Sequence, residues 1–144
     1  MTNDKYELLP NQTIEVQGHK LFRIRALRDF GRVKAGEEGG FIESEKNLSA
    51  EDDAWVSDNA WAYGNAKVSD NAKVSGDAQV SGNAWVYDDA RVYGNALVSG
   101  DARVYGDAWV SGNARVYSDA LVSGNACVFG NARVSYGSKQ GELK

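Results

Sequence analysis

The chain has 144 residues, a net charge of −4 and a pI near 5.0, which suits one domain and leaves no overall basic footprint for nucleic acid. Its single cysteine, Cys127, excludes an intrachain disulfide framework and favours a reducing compartment. No apolar run approaches the roughly 18 residues of a membrane helix, and Met1 to Pro10 lack the basic-then-apolar order of a secretion signal, so a cytoplasmic location is expected.

Residues 1–41 differ in kind from the rest and form the expected cap. Thr13 to Gln17 and Lys20 to Leu27 alternate in strand fashion around Gln17-Gly18-His19-Lys20, which predicts a β-hairpin. Six basic residues follow one another here, Lys20, Arg23, Arg25, Arg28, Arg32 and Lys34, opposed only by Asp29. Seven acids come next between Glu37 and Asp53, with only Lys46 against them. The basic run reads either as a solvated cap or as a local anion patch for phosphate, nucleotide or nucleic acid. Gly36 and Gly39-Gly40 lack the spacing of a phosphate loop, so the cap reading is preferred.

From Ala54 to Ala132 an alanine recurs every six residues, fourteen in one register. Two residues after each comes Val, with Ala62 the exception, then Ser or Tyr (Phe at 129), then Gly, Asp or Ser, then Asn or Asp. Ile42 and Leu48 extend the alanine register backward, and it fades at Tyr136-Gly137. The repeat region is therefore 42–137, followed by a short tail, 138–144. A spacing of two then four does not fit a helical stripe, whereas alternation across Ala-x-Val is strand-like. The Gly-Asn and Gly-Asp pairs tolerate the left-handed backbone of a corner. A short strand and a corner every six residues predict an all-β, single-stranded parallel β-helix, with three hexads per coil and about five coils.

Residues eighteen apart should then stack. One outer column reads Trp55, Lys73, Arg91, Trp109, Cys127; another Trp61, Gln79, Leu97, Arg115, Arg133; the third Lys67, Trp85, Arg103, Leu121, with Tyr87 above Tyr105 beside it. Trp55, Trp61, Trp85, Trp109, Arg91, Arg103, Tyr87 and Tyr105 are the candidate exposed binding surface, since Trp, Tyr and Arg dominate binding hot spots. The same side chains could instead cover the thin prism and stack on one another. Asp77, Asp89, Asp101, Asp107 and Asp119 sit where corners want Asp or Asn, so no metal site is expected. The only threonines, Thr2 and Thr13, lie outside the repeats, which argues against an ice-binding face.

The Ala-x-Val hexads resemble those of left-handed β-helix proteins, and the left hand is what that resemblance implies. Asp29-Phe30-Gly31-Arg32-Val33-Lys34-Ala35-Gly36, Gly39-Gly40-Phe41-Ile42-Glu43 and Asn47-Leu48-Ser49, ahead of Ala54-Trp55-Val56, resemble the lead-in of the YdcK-like hexapeptide-repeat proteins of bacteria and bacteriophages. That resemblance implies a phage or prophage origin and a bacterial host cytoplasm, and it carries over no functional residue. Many left-handed β-helix proteins are acyltransferases with a catalytic histidine near the coils. The only histidine here, His19, falls in the predicted turn, and Cys127 has no base near it in sequence. No catalytic residue and no cofactor are expected. The expected function is a non-catalytic scaffold acting through protein–protein contacts, able to inhibit or sequester a host factor. The alternatives are a self-associating structural protein, through the C-terminal edge or a flat face, and an acyltransferase-like enzyme.

Overall fold

A computed structural model describes residues 3–135 and the backbone of 138–143. The chain is built from strands, with one 3-10 turn at Glu45–Asn47 and no α-helix among the described residues. Strands β1 (Tyr6–Val16) and β2 (His19–Ala26) form an antiparallel hairpin, and β3 (Glu38–Ile42) pairs with β2. Gln17 and Gly18 make the tight turn, both at positive φ (49° and 84°), the backbone that a two-residue hairpin loop requires. The turn is therefore shorter than expected, and β1 begins seven residues earlier than the alternation suggested. A register shift between Leu9 and Thr13 accommodates Pro10, which cannot donate to a ladder.

Eleven two-residue strands, β4–β14, follow at six-residue intervals from Trp55–Val56 to Arg115–Val116, and then β15 (Leu121–Val128), β16 (Arg133–Val134) and β17 (Ser138–Leu143). From β4 to β14 each strand pairs in parallel with the one eighteen residues on, as Trp55 with Lys73 and Arg91 with Trp109. The result is a β-solenoid of about five coils with three faces. The first carries β4, β7, β10, β13 and the end of β15; the second β3, β5, β8, β11, β14 and β16; the third β6, β9, β12 and the start of β15. The repeat alanines from Ala54 to Ala126 and the valines from Val56 to Val128 are at most 1% exposed and form one continuous core. Each buried valine contributes about 1.5–3 kcal/mol before chain entropy is charged against it.

The first coil departs from the expected register. Ile42 pairs with Ala62 and the Leu48 bridge falls on Val68, so both occupy the valine position rather than the alanine position. Two extra residues are absorbed in the Ser49–Asp53 corner, because Leu48 and Val56 are eight apart rather than six. The larger Ile42 and Leu48 fill the core of this first coil, both at most 1% exposed. Gly39 and Gly40 let β3 lie against it. A Cβ at Gly39 would sit 2.4 Å from the Val56 carbonyl oxygen, and one at Gly40 2.4 Å from that of Ala60. At the other end, β17 continues the ladder along β15, so this tail pairs with the coil above it instead of leaving it bare. Tyr136 and Gly137, where the repeat was expected to fade, lie outside the described residues.

Candidate functional site

The third face presents the most ordered outward cluster. Trp85 lies between the Lys67 ammonium at 5.9 Å and the Arg103 guanidinium at 5.7 Å from its ring centroid. Its indole Nε1 donates to Ser69 Oγ at 2.9 Å. The Tyr87 ring packs tilted on Trp85 at 4.5 Å and stacks on Tyr105 at 5.0 Å with planes 5° apart. Burial, and next the neighbouring Tyr105, push the Tyr87 hydroxyl above the usual tyrosine pKa. The Lys67–Trp85–Arg103 and Tyr87–Tyr105 contacts follow from the eighteen-residue stacking, which sets like positions one above another at about 4.8 Å.

The first face is more open. The Arg91 guanidinium lies 5.8 Å from the Trp109 ring centroid, and Tyr93 meets the same ring edge-on at 6.3 Å. Trp109 is 42% exposed. A shallow groove runs beside it, between Arg91, Trp109 and Cys127 on the face and Asp89, Asp107 and Asn125 on the corner that precedes it.

Trp55 and Trp61 stand elsewhere than the candidate surface requires. Trp55 is buried, edge-on to Phe30 at 5.2 Å and Tyr6 at 6.4 Å. Its Nε1 is buried without a partner. The outward position of the first hexad is covered by the cap, so Trp55 becomes core. Trp61 is half-buried against the cluster of Val16, Leu21, Phe41 and Tyr63. The usable aromatic surface reduces to Trp85, Tyr87, Tyr105 and Trp109, with Arg91 and Arg103.

The basic residues of the cap meet separate partners where contacts are found. Arg25 pairs with Glu7, Arg28 approaches Asp4 at 4.0 Å, and Lys20 lies over Phe22 at 5.8 Å. Arg23 lies over Phe41 at 4.3 Å and donates to the Gly39 carbonyl at 2.6 Å. Arg32 and Lys34 are exposed in the loop before β3. His19 serves the fold as well: its Nδ1 is 2.9 Å from Glu43 Oε2, while Glu43 Oε1 accepts from the Gly64 amide at 2.9 Å. The His19 hydrogen bond is the main reason that the Glu43 carboxyl falls below its ordinary pKa. The pair ties the hairpin tip to the first corner of the solenoid.

Three residues that the sequence did not single out close the solenoid's end. Lys5, with 0% exposure, donates from Nζ to the Ala54 carbonyl at 2.7 Å and the Ser49 carbonyl at 2.9 Å, and lies over Phe30 at 4.7 Å. Desolvation first, then Arg28, lowers its pKa to about 8. The Tyr6 hydroxyl donates to the Leu48 carbonyl at 2.6 Å. The buried Asn47 amide donates to the Gly64 and Ala66 carbonyls at 3.2 and 2.8 Å, and its Oδ1 accepts from the Glu43 and Ser44 amides. Lys5 and Tyr6 satisfy carbonyls of the first coil, which has no coil above it, and Asn47 joins the first coil to the Gly64–Ala66 corner of the next, where an unpaired buried group is costly. Only the expectation of a cap pointed to them, since single Lys, Tyr and Asn residues carry no periodic signal.

The corners are laddered. Asn65 donates to Asn83 and Asn83 to Asp101; Asn95 donates to Asn113 and Asn113 to Asn131, at 3.0–3.4 Å. Where Asp replaces Gly at positive φ, its carboxylate accepts the next coil's amide, as Asp70 from Asp88 and Asp88 from Gly106. Among the described residues no group of three or more His, Cys, Asp or Glu side chains is placed to hold a metal ion, and no helix is long and apolar enough to cross a membrane.

Parallel coils with an aliphatic core and Asn-laddered corners define a β-solenoid repeat protein. The family model of the YdcK beta solenoid repeat matches residues 84–100, 90–106, 96–112 and 108–124. The overlapping matches make 84–124 a run of YdcK-type repeats, and they cover Trp85, Tyr87, Arg91, Arg103, Tyr105 and Trp109. No curated protein matches the chain.

Proposed function

We propose that the protein is a non-catalytic β-solenoid that holds a protein partner against its third face. The observation that carries this reading is the Lys67–Trp85–Arg103 column beside stacked Tyr87 and Tyr105. Its aromatic rings are already fixed by their neighbours, so little side-chain freedom is lost on docking. Its two cations have no carboxylate within ion-pair distance among the described residues: the ion pairs found there, His19–Glu43, Arg25–Glu7 and Arg28–Asp4, all belong to the cap or its contact with the first coil. Rigid Trp and Tyr with unpaired Arg are the composition of interface hot spots. The phage or prophage origin that the sequence resemblance implies would make the partner a host factor, sequestered in the bacterial cytoplasm.

The test is quantitative capture from bacterial extract on immobilised wild type, Arg103→Glu and His19→Ala. A partner retained by wild type and His19→Ala and reduced at least about tenfold on Arg103→Glu supports the reading, since a central charged contact is worth about 2 kcal/mol or more. Equal capture by all three would remove it. Acyl-donor turnover abolished by His19→Ala would favour the enzyme alternative instead.

A further inference from the structure

The outward strand residues of neighbouring coils lie in register, and this sets Lys73 against Arg91 on the first face and Arg115 against Arg133 on the second. Like charges directly opposite one another in a sheet are destabilising. The first pair is compensated, because Arg91 lies over Trp109 and shares its groove with Asp89 and Asp107. The second pair has no such relief. Among the described residues neither arginine forms an ion pair or lies over an aromatic ring. The corner that leads into this face is neutral over its last three coils, at Asn95, Asn113 and Asn131. The nearest acid of that corner, Asp77, stands two coils, about 10 Å, above Arg115.

Hydrogen-bond donors gather at the same end of this face. Each hexad gives three amides to the coil beyond it, as Asn95, Leu97 and Ser99 give theirs to the carbonyls of Gly112, Ala114 and Val116. The amides at those positions of the last such hexad, Asn131, Arg133 and Ser135, have no strand beyond them among the described residues, because β16 ends its sheet. The corner amides run in the same direction: Asn95 donates to Asn113 and Asn113 to Asn131, which leaves the Asn131 amide as the outermost donor. A sheet edge of this kind favours an anion. We infer that Arg115 and Arg133 hold the phosphate group of a small phosphate monoester.

The two arginines line a cleft of about 230 Å3 with Leu97, Ser99 and Tyr117. A phosphate monoester is close to a dianion at neutral pH and has three terminal oxygens. It therefore neutralises both guanidiniums and offers each fork an acceptor, whereas a carboxylate brings one charge and two oxygens. The Tyr117 and Ser99 hydroxyls stand in the same cleft as further donors. Leu97 and the Tyr117 ring supply the apolar wall for the organic part of the ester. Binding removes the repulsion between the stacked arginines, so the ligand also stabilises the last coils of the solenoid. The site lies on the second face and takes a small molecule, so it stands or falls apart from the partner reading above.

Titration of the full, isotope-labelled chain with phenyl phosphate at neutral pH and low salt, followed through the arginine Cζ and Nε resonances, tests this. We expect saturable binding with a Kd of about 1 mM or below, with the largest arginine shifts at Arg115 and Arg133. Affinity should fall at least about tenfold in Arg115→Gln and in Arg133→Gln, and stay at the wild-type value in Lys73→Gln, which breaks the compensated pair. Benzoate, with the same ring and one charge, should bind about tenfold more weakly than phenyl phosphate. AMP serves as a second ester: if it binds more tightly than phenyl phosphate the source is a nucleotide, and if more weakly, a smaller ester. No saturation by either ester up to about 20 mM, equal affinity in wild type and both arginine variants, or benzoate matching phenyl phosphate would overturn the inference. The shifts are read on wild type, so a variant that fails to fold does not decide the result.

Discussion

Lys5 shows how one side chain can matter more than the pattern around it. Its ammonium takes up two carbonyls of the first coil that no neighbouring strand can reach. Removing it strands both in a buried site, so Lys5→Ala should cost about 3 kcal/mol in chemical denaturation. Trp55 is the opposite case, a buried donor with nothing to donate to. Trp55→Phe should change stability by less than about 1.5 kcal/mol, because the lost volume is offset by removing an unsatisfied N–H, whereas Trp55→Ala should cost about 3–5 kcal/mol. Equal losses for the two Trp55 variants would show that the indole N–H is satisfied in solution. Neither residue's role was legible in sequence: Trp55 has the same hexad position as exposed Trp109, and only the cap lying over it separates them.

At the scale of the element, the hexad was legible almost completely. Alternation gave the strand, Gly and Asn gave the corner, and eighteen-residue stacking placed Tyr87 on Tyr105 and Arg91 over Trp109. The first coil was not legible, because its two-residue corner insertion preserves the appearance of a six-residue register while moving Ile42 and Leu48 to another place in it. The repeat unit for stability is the coil, not the hexad, since the hexad strands from β4 to β14 pair with those eighteen residues on. Deleting 109–126, one coil, should therefore leave a cooperatively folded, shorter solenoid. Deleting 91–96, one hexad, should shift every later column to the next face and bring unlike columns together. Circular dichroism melts would show a single transition for both, but only the hexad deletion should lose the Tyr87–Tyr105 stack; an unaffected stack would contradict the coil register.

At the scale of the molecule, the cap sets the pH dependence. Lys5 titrates near 8 in the folded chain and near 10.5 unfolded. Between those values the unfolded chain binds the extra proton, so Lys5's contribution to stability rises with pH across that window and is flat below it. Burial pushes the Tyr6 hydroxyl above its ordinary value of 10.0, so above that pH the unfolded chain loses a proton that the folded one keeps, and stability falls. Glu43, lowered by His19, gives stability that is lost as pH falls through its folded value. The melting temperature of wild type relative to Lys5→Met should climb from pH 8 to about 9.5; a flat difference would mean that Lys5 is not buried as a cation.

If the protein holds a partner as proposed, the third face is the one that meets it. A photo-reactive benzoylphenylalanine placed at Tyr105, on that face, and separately at Tyr117, on the second, measures this directly in cells. A discrete protein adduct from position 105 and none from 117 is the predicted result. Adducts of equal yield from both positions, or adducts from 117 alone, would contradict it.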